Sequence, residues 1–192
     1  GVRVAEVMDV DGDAMTASFG ISQKKAGRDM ADRLLERGYS KFGYIANLSG
    51  MDLRAEKRFS AFKEHVEQAG GSIVGSRVSP EALTMLDGRE LTSDLLAATE
   101  RPEAIYYSND DLAAGGLMHC LSAGIKVPED VALAGFNGLS FLEALPLQIT
   151  TTRTPRYEIG HAAAKWIGSD QASVEGASSH VFEAEMILGD TS

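Results

Sequence analysis

Residues 104–138 read AIYYSNDDLAAGGLMHCLSAGIKVPEDVALAGFNG. Two short apolar runs, AIYY at 104–107 and VALAG at 131–135, each give way to small polar residues. Ser108-Asn109-Asp110-Asp111 follows the first, and Phe136-Asn137-Gly138 the second. Between them, residues 110–123 carry a helix-forming stretch, with Asn109 or Asp110 placed to cap its start and Gly124 just past its end. In an open α/β sheet, polar residues beyond the carboxyl ends of parallel strands face the crevice where ligands bind. Two such endings in succession point to one pocket for a small polar molecule.

The same alternation extends in both directions. Strands are expected at 2–8, 16–21, 42–47, 72–78, 149–153 and 180–188. Ala26, Met30, Ala31, Leu34 and Leu35 recur at helical spacing up to Gly38, and further helices are expected at 53–69, at 87–99 and from Pro155 to Ile167. SDQASVEGASS at 169–179 reads as an exposed connection. Strands alternating with helices favour an α/β fold, a parallel sheet covered by helices on both faces.

The chain has 192 residues, 44% hydrophobic and 24% charged, enough for one or two compact units. A formal charge of −10, from 18 basic against 28 acidic residues, argues against this segment gripping a nucleic-acid backbone. Cys120 stands alone, which excludes an internal disulfide framework and fits a reducing cytoplasm. No apolar run approaches the roughly 18 residues that span a bilayer, so no membrane partner is expected, and GVRVAEV at the start has no signal-peptide character.

The stretch from Tyr106 to Gly138 resembles the effector-binding domain of the lactose-repressor-type (LacI/GalR) family of bacterial transcription regulators. The resemblance rests on Ser108-Asn109-Asp110-x-x-Ala113-x-Gly115 and on Gly124-Ile125-x-Val127-Pro128-x-Asp130-Val131-Ala132-x-x-Gly135-Phe136-Asn137. Arg58, residues 34–38 and Thr154-Pro155-Arg156 match further, and the last of these resembles the gluconate-repressor branch. The resemblance implies a two-lobed, periplasmic-binding-protein-like (type I) fold whose N-terminal lobe is incomplete in this chain. On that pattern residues 1–21 and 151–175 belong to the N-terminal lobe, and 22–150 and 178–192 to the C-terminal lobe. It also implies a sugar or sugar-acid effector, a homodimer, operator DNA bound through a domain absent from this chain, a cytoplasmic location, and neither cofactor nor enzymatic activity.

Candidate effector-binding residues follow. Asn109, at a strand-to-helix turn, offers an amide to a ligand hydroxyl, although a helix N-cap is the alternative reading. Asn137 stands where many relatives carry Asp. An amide there removes a charge that would repel an acidic ligand by several kcal/mol at an effective dielectric of about 20, although Asn also suits a tight turn. Arg54 and Arg58 lie four apart on one helix, and a guanidinium fork suits a carboxylate or vicinal hydroxyls. The resemblance gives Arg58 the effector contact. Arg156 begins a helix, where a cation opposes the helix dipole and so serves stability poorly. Phe19 and Ile21, closing an early strand, could wall the pocket or simply pack in the core.

Other constellations fail. Asp9, Asp11 and Asp13 imitate a calcium loop, but Ala14 and Gly20 occupy the positions that need glycine and glutamate. His65, His119, His161 and His180 are scattered without metal-ligand spacing, and no nucleophile elbow or phosphate-binding loop occurs. An extracytoplasmic sugar-binding protein of a transport system is the alternative within this fold.

Overall fold

The structure is a computed structural model that describes residues 4–14, 16–47, 52–79, 84–169 and 178–192. In chain order the elements are β1 (Ala5–Asp9), β2 (Ala17–Ile21), α1 (Gln23–Glu36), β3 (Lys41–Asn47), α2 (Leu53–Gln68), β4 (Ser72–Ser79), α3 (Met85–Leu96) and β5 (Ala104–Tyr107). There follow α4 (Asp110–Ala123), β6 (Ala132–Ala134), a 3-10 turn (Ser140–Ala144), β7 (Thr151–Arg153), α5 (Arg156–Ile167), β8 (Ser178–Val181) and β9 (Glu185–Ile187).

The large sheet is all parallel in the order β4-β3-β5-β6. Its first strand, β3, sits inside the sheet, with β4 on one side and β5 and β6 on the other, so the winding reverses between β3 and β5. At such a reversal the helices leave in opposite directions and open a crevice at the carboxyl ends of the strands. Strand periodicity sorts the side chains. Phe42, Tyr44 and Tyr106 face one layer with Met30, Leu34, Phe62 and Val66 of α1 and α2. Ile45, Ile105, Tyr107 and Leu133 face the other with Leu95, Leu112 and Leu117 of α3 and α4. Each fully buried aliphatic or aromatic side chain here stabilises the fold by about 1.5–3 kcal/mol.

Helix α1 starts where Ser22 Oγ accepts from Lys25 N at 3.0 Å. It crosses α2 at Gly27, where a β-carbon would collide with the carbonyl oxygen of Arg58. The missing side chain therefore lets α1 lie directly against the turn of α2 that carries Arg58.

A second, parallel sheet has the order β1-β2-β8, covered by α5 through Ile159 and Ala163 packed on Phe19. β7 runs beside the end of β6 through bridges at Ala134–Thr150 and Asn137–Arg153, and pairs antiparallel with β9.

The expected single strand at 180–188 is two strands in two sheets, broken at Phe182–Ala184 where the chain crosses between them. β8, placed by the sequence reading with the C-terminal lobe, pairs with β2 in the small sheet. β7, placed with the N-terminal lobe, lies beside the large one. Apolar alternation does not mark the crossing, because neither half is buried in an alternating stripe: β8 is exposed at three of its four residues and β9 is at most half-buried. Pro155 caps α5 rather than beginning it. Most of the expected connection at 169–179 lies outside the described residues.

Candidate functional site

The crevice is built from strand ends. Past β5, Ser108 N still donates to Ile45 O of β3 at 2.9 Å, and the chain then turns at Asn109 into α4. Asn109 Oδ1 accepts from Leu112 N at 2.9 Å, so the side chain is a helix cap, while its Nδ2 meets no partner among the described residues. Past β6, Gly135 N donates to Thr150 O at 2.8 Å and Asn137 N to Thr152 O at 2.9 Å, which carries the pairing beyond the strand. Asn137 has φ 122, a conformation that costs a side-chain-bearing residue about 1–3 kcal/mol and persists only when its surroundings fix it. Both asparagines are half-buried and follow neighbouring strands of one sheet.

Asp110 does the fixing. It is fully buried, its Oδ1 accepts from Thr151 Oγ1 at 2.6 Å, and its Oδ2 accepts from Leu139 N at 2.8 Å. The Gly138 N–H adds a third donor. Burial pushes its carboxyl above the ordinary aspartate value, and these three donors work in the opposite direction. A β-carbon at Gly135 would stand 2.5 Å from Asp110 Oδ1, so only glycine lets the carboxylate reach this turn.

Arg58 joins the two strand ends. It is 3% exposed. Nη1 donates to Gln23 Oε1 at 2.6 Å and Nη2 to Ser108 O at 2.8 Å, and the guanidinium lies 3.6 Å from the centroid of the Phe136 ring. It therefore touches the residue before Asn109 and the residue before Asn137. The Tyr106 phenol lies beside it, its pKa raised by burial against the opposing charge of Arg58. Among the described residues no carboxylate lies within ion-pair distance of Arg58. Burying an unpaired cation costs several kcal/mol, which carbonyl acceptors and an aromatic face only partly offset.

The other candidates lie apart. Arg54 is half exposed, with its Nε 3.8 Å from Asp52 Oδ1, the N-cap of α2. Arg156 is exposed at the start of α5 and pairs with no acid among the described residues. It borders a cavity of about 540 Å³ together with Arg153, Thr154, Tyr157, Glu183 and Glu185. Phe19 and Ile21 are each 2% exposed, packed with Ala26, Phe136 and Ile159, and Phe19 stacks on His180 with ring centroids 4.3 Å apart.

Sequence reasoning missed Gln23, Ser108, Phe136 and the anchoring role of Asp110. Gln23 stands two residues past β2, as Asn109 stands two past β5, so the rule that singled out Asn109 applied equally to it. Cys120 is buried, which raises its thiol to about 11, and no group of three His, Cys, Asp or Glu placed to hold a metal occurs among the described residues. Among them, no helix is long and apolar enough to cross a membrane.

The model of the periplasmic binding protein-like domain matches residues 31–192. A Pseudomonas aeruginosa protein named HTH-type transcriptional regulator GntR is 34% identical over 166 residues, covering 86% of this chain and 48% of that protein. Escherichia coli IdnR, likewise named an HTH-type transcriptional regulator, is 30% identical over 168 residues, covering 86% of this chain and 49% of its own length. The chain thus spans about half the length of these relatives. A LacI-family transcriptional regulator from Silicibacter pomeroyi superposes with a TM-score of 0.87 at 36% identity, covering 97% of this chain and 57% of that one. Parallel sheets with polar strand ends, the family match and these relatives together establish that the chain belongs to the periplasmic binding protein-like domain family, in the company of LacI-family regulators.

Proposed function

We propose that this chain is the effector-sensing part of a transcription repressor, that its two sheets belong to two lobes, and that the crevice between them takes a sugar acid such as D-gluconate. The observation that carries the reading is Arg58, a buried cation with no carboxylate partner among the described residues, held at the reversal point of the large sheet. An anionic ligand supplies the missing charge, and Asn109 Nδ2, which meets no partner among the described residues, and the side chain of Asn137 serve its hydroxyls. Arg156 adds a second cation beside the crossing into α5. An aspartate at position 137 would oppose such a ligand, and asparagine does not.

The relatives named as transcriptional regulators support a repressor over a transport protein, and operator DNA is then bound outside this acidic chain. A thermal-shift series on the full-length protein tests the ligand. D-gluconate at 100 times its dissociation constant should stabilise by about 2.7 kcal/mol. Stabilisation by neutral hexoses with none by sugar acids would refute the ligand class.

The partner that completes a two-headed operator complex is a second copy of the chain. Met85 and Leu86 of α3, Leu121 of α4 and Val78 of β4 expose 40%, 61%, 42% and 43% of their surface, apolar groups left without cover. Sedimentation of the full-length protein should give a dimer, and replacing Leu86 and Leu121 by glutamate should shift it to monomer. A monomeric wild type at high concentration would exclude this pairing.

A further inference from the structure

Gln23 is 2% exposed and uses both ends of its amide. Its Oε1 accepts from Arg58 Nη1 at 2.6 Å, and its Nε2 donates to Met8 O at 2.7 Å. Arginine can only donate and a carbonyl can only accept, so the amide has one orientation. Met8, the last residue but one of β1, has φ 77, a backbone setting that must be held from outside. The same turn is held by four more hydrogen bonds. Lys57, the residue before Arg58, reaches Asp9 Oδ2 at 2.5 Å and Asp11 O at 2.8 Å. Asp11 accepts from Ser22 Oγ and Lys24 N, both at 2.7 Å, at the start of α1. The end of the small sheet's first strand is thus seated on α1 and α2 of the large sheet, and among these contacts the Gln23 amide alone also touches the Arg58 guanidinium.

We propose that Gln23 is the positioning residue of Arg58, and that it makes the setting of the guanidinium and the seating of the Met8–Asp11 turn depend on each other. A group that engages Arg58 redirects the donors shared with Gln23. The amide then grips Met8 O more or less firmly, and the turn, with the sheet behind it, follows. This gives the ligand reading above, on which its biological meaning rests, a physical route from bound charge to the relation of the two sheets.

The coupling is measurable without ligand. Amide hydrogen exchange at Val10 and Asp11, whose N–H groups donate to Ile21 O at 3.2 Å and Asp9 Oδ1 at 2.9 Å, reports the seating of the turn. In the full-length protein, Gln23→Met and Arg58→Lys should each speed exchange there by about tenfold, the loss of roughly one hydrogen bond. The double variant should exchange no faster than Gln23→Met alone. Multiplying single effects would show that the two residues act independently and would overturn the proposal. Gln23→Glu keeps an acceptor for Arg58 and loses the donor to Met8, so the turn should loosen while adding Arg58→Lys changes nothing more. Faster exchange on that addition would count against the relay. In a second arm, saturating D-gluconate should alter exchange at Val10 and Asp11 in the wild type and not in Gln23→Met. Failure of the wild type to bind gluconate would refute the ligand reading and leave the ligand-free cycle to decide on Gln23.

Discussion

Replacing Arg58 with methionine is expected to lower affinity for D-gluconate at least ~100-fold, about 3 kcal/mol, while the protein stays folded. Two opposed effects set the stability outcome. Methionine orphans Ser108 O and Gln23 Oε1, at about 1–3 kcal/mol each, and removes a buried cation that has no counter-ion among the described residues, which relieves several kcal/mol. These nearly cancel, and methionine retains apolar contact with Phe136. Binding has no such compensation, because the charge facing the ligand is gone. Calorimetry and urea unfolding on the same variant separate the two. Wild-type affinity in Arg58→Met would remove this residue from the site.

Asp110→Ala is expected to be the more damaging change for folding, with a loss of about 3–5 kcal/mol by urea denaturation. It strands the Thr151 hydroxyl, which is buried, and the N–H groups of Leu139 and Gly138 in a half-buried turn. It also releases the strand-end segment that keeps Asn137 at φ 122, so effector affinity should fall with stability. The pH dependence has a definite sign. The folded pKa of Asp110 lies above its ordinary value of 3.8, so the folded state holds this proton more tightly than the unfolded one. Its contribution is full below 3.8 and declines as pH rises through the folded value. The variant should lack that decline. A stability loss under 1 kcal/mol would show that the turn holds itself.

Much of the large sheet was readable because its signals are local. AIYY, the Asn109 cap and Gly124 fix β5 and α4 almost to the residue, since strand period, cap chemistry and a left-handed glycine act within a few residues. Arg58 was singled out by resemblance, and its position on a helix says nothing by itself about burial. That depends on Gly27 admitting α1 and on Phe136 arriving from 78 residues away. Asp110 looked like a second polar residue at a cap, because its partners Thr151 and Leu139 meet it only in three dimensions. Phe19 and Ile21 read equally as wall or core, and their burial depends on α5, which follows them by more than 130 residues.

The place of β2 between β1 and β8 has a temporal side. During synthesis β1 and β2 emerge together, but β2 then waits through some 157 residues for the neighbour on its other edge. The large sheet, whose four strands and helices follow one another closely, can consolidate in that interval. The small sheet keeps an open edge until Ser178–Val181 arrives, and β9 and Thr191, whose hydroxyl donates to Leu133 O at 2.7 Å, come later still. Nascent chains are therefore most exposed to edge-to-edge association at β2 in the interval before Ser178–Val181 is made, when the large sheet is already compact.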